Sequence, residues 1–521
     1  MRASPAWLRW RGWVWGLALL ALAWYVLAFG LHAWDLVRFP FEADYGEGAL
    51  LNEAIRLAAG HSFYVSDRAP PYLVGNYPPV YVACLALLRL LGARGFAAGR
   101  ALSSVAVLAG AALAGLTVRE VLGDGSPPVS PAGRWFSAAL TAGLICAQNY
   151  VWQWGSLQRV DSLALALSLA GLYGVVRAPE RAARTWPWFL LAVLTRQSQI
   201  AALAGAVWFL RSRARAQAWR LTLGWGIGLS AAVALLQGLT GGQFLVQIVV
   251  DNANHYSLSG ALGSISGWLF AGGGLPLVLF AAWGMALARK RPAGPLLTGY
   301  AVAAWLVVWT VGKVGSSLNY FFPSVAAAAM LAAMVPHAPR RPALAGALVA
   351  AFLVGIPPLA NRPGVAGDIL RDLTAFHDLQ TPTFNRLGWQ VPIGGADSAD
   401  ARLIAVMRRT PGPILARDMG DLIQSGHPVF YQPFELTQVA YNGHWNPAPI
   451  VRMAEAGRFP LVVLDFPLAD RSRWDTSTWP PAFLRAVAAH YHPSGRIGNR
   501  RLYRPDVTPR SPAPVPPGRP Q

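Results

Sequence analysis

Two cysteines in 521 residues, Cys84 and Cys146, both inside apolar stretches, argue against a disulfide framework and against a thiolate metal centre. Charge is scarce as well. Asp, Glu, Lys and Arg make up 13% of the chain against 54% hydrophobic residues, too little polar surface for a soluble enzyme and in keeping with a protein that has lipid as its solvent. Acidic residues are the rarer sign, 24 against 44 basic, which gives a formal charge of +20. The basic residues are nearly all arginine and fall largely in short breaks between apolar runs. No basic tract is interleaved with exposed aromatics, so the charge points to membrane topology and away from nucleic acid.

What is abundant is long apolar runs, near 13–31, 101–121, 133–151, 160–177, 218–238, 263–288, 294–311, 316–335 and 340–358, each of a length suited to a spanning helix. Arg2, Arg9 and Arg11 precede the first run, and Trp34, Asp35 and Arg38 follow it instead of a small-residue cleavage site, so it is expected to be an uncleaved span. The stretch 186–210 differs, because Thr195-Arg196-Gln197-Ser198-Gln199 would lie in mid-membrane in one straight helix. Arginines on both flanks predict a re-entrant hairpin of two short helices turning at Arg196. The stretch 77–92 is short and predicts an interfacial helix.

The predicted fold is mainly α, a polytopic transmembrane bundle of about 11 membrane segments, with the N-terminus inside. Residues 1–361 form the transmembrane domain, with an acidic first outer loop over 34–100. From 362 to 504 apolar runs shorten to strand length, at 413–416 and 460–465, between helix-like stretches at 399–408 and 449–456, which predicts a small extracytoplasmic α/β domain. Asp418, Asp421, His427 and His444 in its loop-rich part are expected to be solvated. Residues 505–521 are Pro-rich and predict a disordered tail.

The segment 41–48, FEADYGEG, gathers three carboxylates after the first run and continues as ALLNEAIRLAAG. Leu50, Ala54 and Leu57, with Leu51, Ile55 and Ala58, recur at helical spacing. That predicts an amphipathic helix on the membrane surface, with Glu47, Glu53 and Arg56 off its apolar face. Two readings stay open for Asp44 and Glu47. Three residues apart, they have the form of a helix N-cap with its reciprocal carboxylate. A carboxylate at a membrane face is also fit to act as a general base on an acceptor hydroxyl attacking a sugar carbon.

In this topology the other unusual polar residues share one outer side: Tyr77 in NYPP, Arg100, Arg159 and Asp161 in QRVD, Arg196 and Gln197 at the hairpin turn, and Asn319 and Tyr320 in SLNY. Each has an ordinary use, as helix start, snorkelling arginine, local ion pair or interhelical hydrogen bond. Together they have the signature of a substrate site over an apolar bundle. Guanidinium groups beside an acidic loop suit a phosphate carried by a lipid, whose tail the bundle would hold.

These motifs resemble the GT-C glycosyltransferases, in particular the bacterial branch related to the lipid A aminoarabinose transferases and, more distantly, the protein O-mannosyltransferases. The resemblance covers the layout of residues 1–335 and rests on FEADYGEG, two surface helices from Ala49 and Val80, YPP, Arg100 and RVDSLALALSL. Several relatives carry two adjacent acids in the motif, whereas here Tyr45 follows Asp44 and the next acid is Glu47.

The resemblance implies a GT-C bundle in the bacterial cytoplasmic membrane. It also implies transfer of a sugar, with inversion, from a polyprenyl-phosphate donor to a lipid, glycan or protein acceptor outside the cytoplasm. Asp44 would be the base, Arg100, Arg159 and Arg196 would neutralise the leaving phosphate, and Asn319 and Tyr320 would line the site. Some members bind a divalent metal. His255 is one candidate ligand, and no metal is assigned. The rival reading is a transporter or flippase, against which stand the lack of an internal repeat and the large outer domain.

Overall fold

The computed structural model describes residues 6–125, 129–271, 274–337 and 398–506, and the chain divides into two compact units. The first takes Met1–Phe39, Tyr77–Leu236 and His255–Pro392, and the second Pro40–Asn76, Gln237–Asn254 and Ile393–Gln521. The run at 340–358, the boundary expected at 361/362 and the tail beyond 506 lie outside the described residues.

In the first unit and at its edges, five helices among the described residues are long and apolar enough to cross a membrane: Ala18–Arg38, Ala97–Gly123, Arg215–Leu239, Gly294–Gly312 and Leu318–His337. The run 263–288 predicts one more straight helix. Instead Leu258–Phe270 and Gly274–Ala288 meet at 84°. The sequence has three glycines at 272–274, the residue type that loses most backbone freedom in a helix. The run 133–151 is interrupted too, as Pro131–Cys146 and Asn149–Trp154, with Gln148 buried at the break. Residues 196–200 separate Trp186–Thr195 from Ala201–Arg213, each too short to cross by itself.

Small residues let these helices approach closely. A Cβ on Gly115 would stand 2.5 Å from the carbonyl oxygen of Ala138, and one on Gly284 would collide with the carbonyl oxygen of Leu331. Main chain therefore meets main chain between Ala97–Gly123 and Pro131–Cys146, and between Gly274–Ala288 and Leu318–His337. Leu318–His337 is almost wholly buried, whereas Arg215–Leu239 has few buried residues, as suits a helix at the lipid boundary.

The second unit is built on a four-stranded sheet of β1 (Ile414–Leu415), β2 (Leu461–Leu464), β3 (Tyr491–Ile497) and β4 (Arg500–Pro505), in the order β1-β2-β4-β3. β1 and β2 are parallel, and the other pairs antiparallel. Helices Met419–Ser425, Pro433–Tyr441 and Ala448–Glu455 form the crossover that a parallel pair needs. All of β2 is buried, as its unbroken LVVL suggests. The β3–β4 hairpin has no such signal, because β3 is YHPSGRI and exposes its middle five residues.

The segment 40–76 joins this unit through main-chain bonds. Tyr72 N–H donates to the Phe430 carbonyl at 2.9 Å, and Gln432 N–H donates to the Tyr72 carbonyl at 3.0 Å. Tyr72 and Val74 share an apolar cluster with Leu415, Tyr431 and Trp445.

Candidate functional site

The acidic segment lies in the second unit. Asp44 takes an extended conformation (φ −143°, ψ 134°) and caps Tyr45–Ala58, its Oδ1 accepting from Gly46 N–H at 3.1 Å. Glu47 Oε2 reaches back to accept from Ala43 N–H at 2.9 Å. This is a cap with a reciprocal carboxylate, shifted one residue toward the N-terminus from the usual box. Asp44 keeps partial exposure, while Glu47 is fully buried.

Glu47 and Glu53 are not turned outward, contrary to the periodicity. Both are buried: the helix packs against Met419–Ser425 of the same unit, and Glu53 stands in electrostatic range of Glu435 and Tyr64. Asp418 and Asp421, expected in solvent, are buried as well. Arg500 gathers them, at 2.8 Å from Asp418 and 3.7 Å from Asp421, and also binds Asp400 at 2.7 Å. Arg417 bridges Asp418 at 3.1 Å and Asp465 at 2.9 Å. Carboxyl groups outnumber guanidinium groups, and the excess shows in their protonation. Burial, then the Asp418 charge, push the Asp421 carboxyl up to about 8. Burial together with the Asp418 and Asp421 charges holds Glu42 well above the carboxylate range. Against burial, Arg417 and Arg500 hold Asp418 below it.

A second polar group lies in the first unit. Asp161, the first residue of Asp161–Arg177, pairs with Arg196 at the 196–200 break. Its Oδ1 also accepts from Asn319 Nδ2 at 3.0 Å and its Oδ2 from Trp154 Nε1 at 2.9 Å. Arg196 donates to the Asn319 carbonyl at 3.2 Å, with its guanidinium 4.3 Å from the Tyr320 ring centroid. The Arg159 guanidinium stacks 4.9 Å from the ring of Trp154, the residue that also donates to Asp161. Tyr77 stands in electrostatic range of Arg159, Asp161, Arg196 and Tyr320, and burial pushes its phenol up to about 12. Gln197 follows Arg196 and is half-buried.

Arg100 has a different place. It is fully buried in the first turn of Ala97–Gly123, where Nη1 donates to the carbonyls of Leu36 and Phe39 at 2.8 and 2.6 Å. Its guanidinium lies 5.0 Å from the Phe96 ring, so it closes the open carbonyl end of the first helix. Lys313, one of two lysines in the chain, stands in electrostatic range of Tyr320 and Arg196 and escaped the sequence reading. Its rarity in an arginine-rich chain was the only signal. The carbonyl of His255 accepts from Val314 N–H at 2.9 Å. Among the described residues no group of three or more His, Cys, Asp or Glu is placed to hold a metal ion.

The chain has the fold of the GT-C glycosyltransferases, integral membrane enzymes. Among solved structures it is similar to the aminoarabinose transferase ArnT from Cupriavidus metallidurans bound to undecaprenyl phosphate, with a TM-score of 0.61 and 14% identity over 94% of this chain and 98% of that one. The apo state of ArnT gives 0.59 at 16% identity, with the same coverage. The oligosaccharyltransferase AglB from Archaeoglobus fulgidus, in complex with an inhibitory peptide and a dolichol-phosphate, gives 0.52 at 15% identity over 96% of this chain and 75% of that one. No protein-family model and no curated protein matches the sequence.

Proposed function

We propose that this protein is an inverting glycosyltransferase that moves a sugar from a polyprenyl-phosphate donor to a lipid, glycan or protein acceptor at the outer face of the bacterial cytoplasmic membrane. The observation that carries the reading is the fold shared over nearly the whole chain with ArnT, which was captured with undecaprenyl phosphate. Asp44 takes the proton of the acceptor hydroxyl as its oxygen bonds to the anomeric carbon. The bond from that carbon to the phosphate oxygen breaks, and its electron pair leaves with the lipid phosphate. Arg159 and Arg196 neutralise the growing phosphate charge, with Tyr77, Asn319 and Tyr320 as lining. The partial exposure of Asp44 and the burial of Glu47 favour Asp44 as the base and Glu47 as its brace. Residues 398–506 would help select the acceptor.

The test is mass spectrometry of glycolipids and glycans from cells lacking the gene, followed by reconstitution of the full chain in vesicles with the lipid-linked sugar that accumulates. Transfer with loss of polyprenyl phosphate from the donor is expected. Movement of the donor across the bilayer without any glycosylated product would replace this reading by a flippase.

A further inference from the structure

The three carboxylates of FEADYGEG are held by different amides. Glu47 reaches back four residues to Ala43 N–H at 2.9 Å, and Asp44 binds Gly46 N–H at 3.1 Å. Glu42 reaches forward six residues, its Oε1 accepting from Gly48 N–H at 2.8 Å. Its second oxygen leaves the segment altogether and accepts from Gly420 N–H at 2.6 Å, across 378 residues of sequence. Gln424 Nε2 ties the same two stretches by donating to the Pro40 carbonyl at 2.8 Å.

The glycines fit this arrangement. A Cβ on Gly48 would stand 2.5 Å from both Glu42 Oε1 and Gly420 N, so only glycine lets the three groups meet. Asp44 sits in a turn closed forward by Glu42 and backward by Glu47, and Glu42 ties that turn directly to the Gly420 amide. A carboxyl group held by two amides through both oxygens has little freedom to rotate, and the same holds for the backbone it grips.

We propose that Glu42 is a positioning residue for the glycosyl transfer, fixing the turn that carries Asp44 against Gly420 and thereby setting the direction of the Asp44 carboxylate. The inference rests on the general-base reading of Asp44. It makes the sequence from Asp418 to Asp421 part of the acidic motif in function, though not in sequence, and assigns the two glycines to the same device. Glutamine at position 42 keeps the size but presents one oxygen where two are needed, so one amide loses its acceptor.

The test compares full-length Glu42→Gln, Glu42→Asp and Asp44→Asn in vesicles, with rates divided by the folded fraction from size-exclusion chromatography. Glu42→Gln is expected to lower kcat roughly 10- to 100-fold, the scale of a misplaced catalytic group, with KM for the lipid donor within about twofold. Glu42→Asp, too short to reach both amides, is expected to behave alike. Hydrogen exchange adds a second readout: Gly48 and Gly420 are expected to be protected in the wild type, and one of them to lose protection in Glu42→Gln.

An unchanged kcat per folded molecule in Glu42→Gln, with Asp44→Asn inactive, overturns the inference and spares the general base. Full activity in Asp44→Asn overturns the general base and the inference with it. Rapid exchange at either glycine in the wild type overturns the anchoring itself.

Discussion

Arg196 and Asp161 form an ion pair in which both side chains are sealed from solvent, 3% and 1% exposed. Trp154 and Asn319 complete the shell of the carboxylate. Removing one partner strands the other charge, so Asp161→Ala should cost about 3–5 kcal/mol of stability. Thermal unfolding in detergent checks this. The double variant Asp161→Ala with Arg196→Met should recover part of the loss, since no charge is then left unpaired.

Asp44→Asn should leave the fold intact and lower kcat by about 10²–10⁴-fold, the range set by loss of a general base. The amide still accepts the cap bond from Gly46 N–H, so the melting temperature should barely move. Turnover of a lipid-linked sugar, read beside a melting curve, separates the two effects.

Glu47→Gln should act chiefly on stability. Its bond to Ala43 N–H is part-buried, and exchanging the charged acceptor of a buried side chain for a neutral one costs about 1–3 kcal/mol. A fall in melting temperature with kcat per folded molecule kept within about tenfold is expected, since pure proton-transfer loss starts near 10²-fold.

Asp421 gives a pH dependence. Its carboxyl is raised from 3.8 to about 8, so the folded chain binds more protons than the unfolded one between those values. The stabilisation is complete below the unfolded value and declines as pH rises from about 4 to about 8. Asp421→Asn should flatten that decline, and melting temperatures of both proteins across the range check it.

Gly284→Ala should weaken the packing of Gly274–Ala288 on Leu318–His337, because the new methyl collides with the Leu331 carbonyl oxygen. Overpacking of this kind costs about 1–3 kcal/mol. The effect is on melting temperature and on folded yield from membranes.

Much of this architecture is legible in residue patterns. Apolar length marks Ala97–Gly123 and Leu318–His337, and the polar stretch around Arg196 marks a helix break. The strands Ile414–Leu415 and Leu461–Leu464 fall inside short apolar runs. What escapes is everything decided by distant partners. Glu47 and Glu53 look solvent-facing by helical period, yet distant parts of the same unit bury them, and Glu42 finds an amide 378 residues away. The Asp44 cap was readable because its donor is two residues on. The pairing of Asp161 with Arg196 was not, because the helix start at Asp161 and the break at Arg196 are 35 residues apart and only the packing of the helices brings them together.

The bond from Gly420 to Glu42 also dictates when the acidic turn is fully anchored. A ribosome emits residue 42 long before residue 420, and every described apolar helix from Val80–Leu90 to Leu318–His337 is made in between. The acidic turn therefore waits, incompletely anchored, through most of synthesis, and its last support arrives with one of the final folded segments. On the general-base reading of Asp44, a chain terminated before residue 420 would lack this anchor even with its apolar helices made, and competence would come late in synthesis.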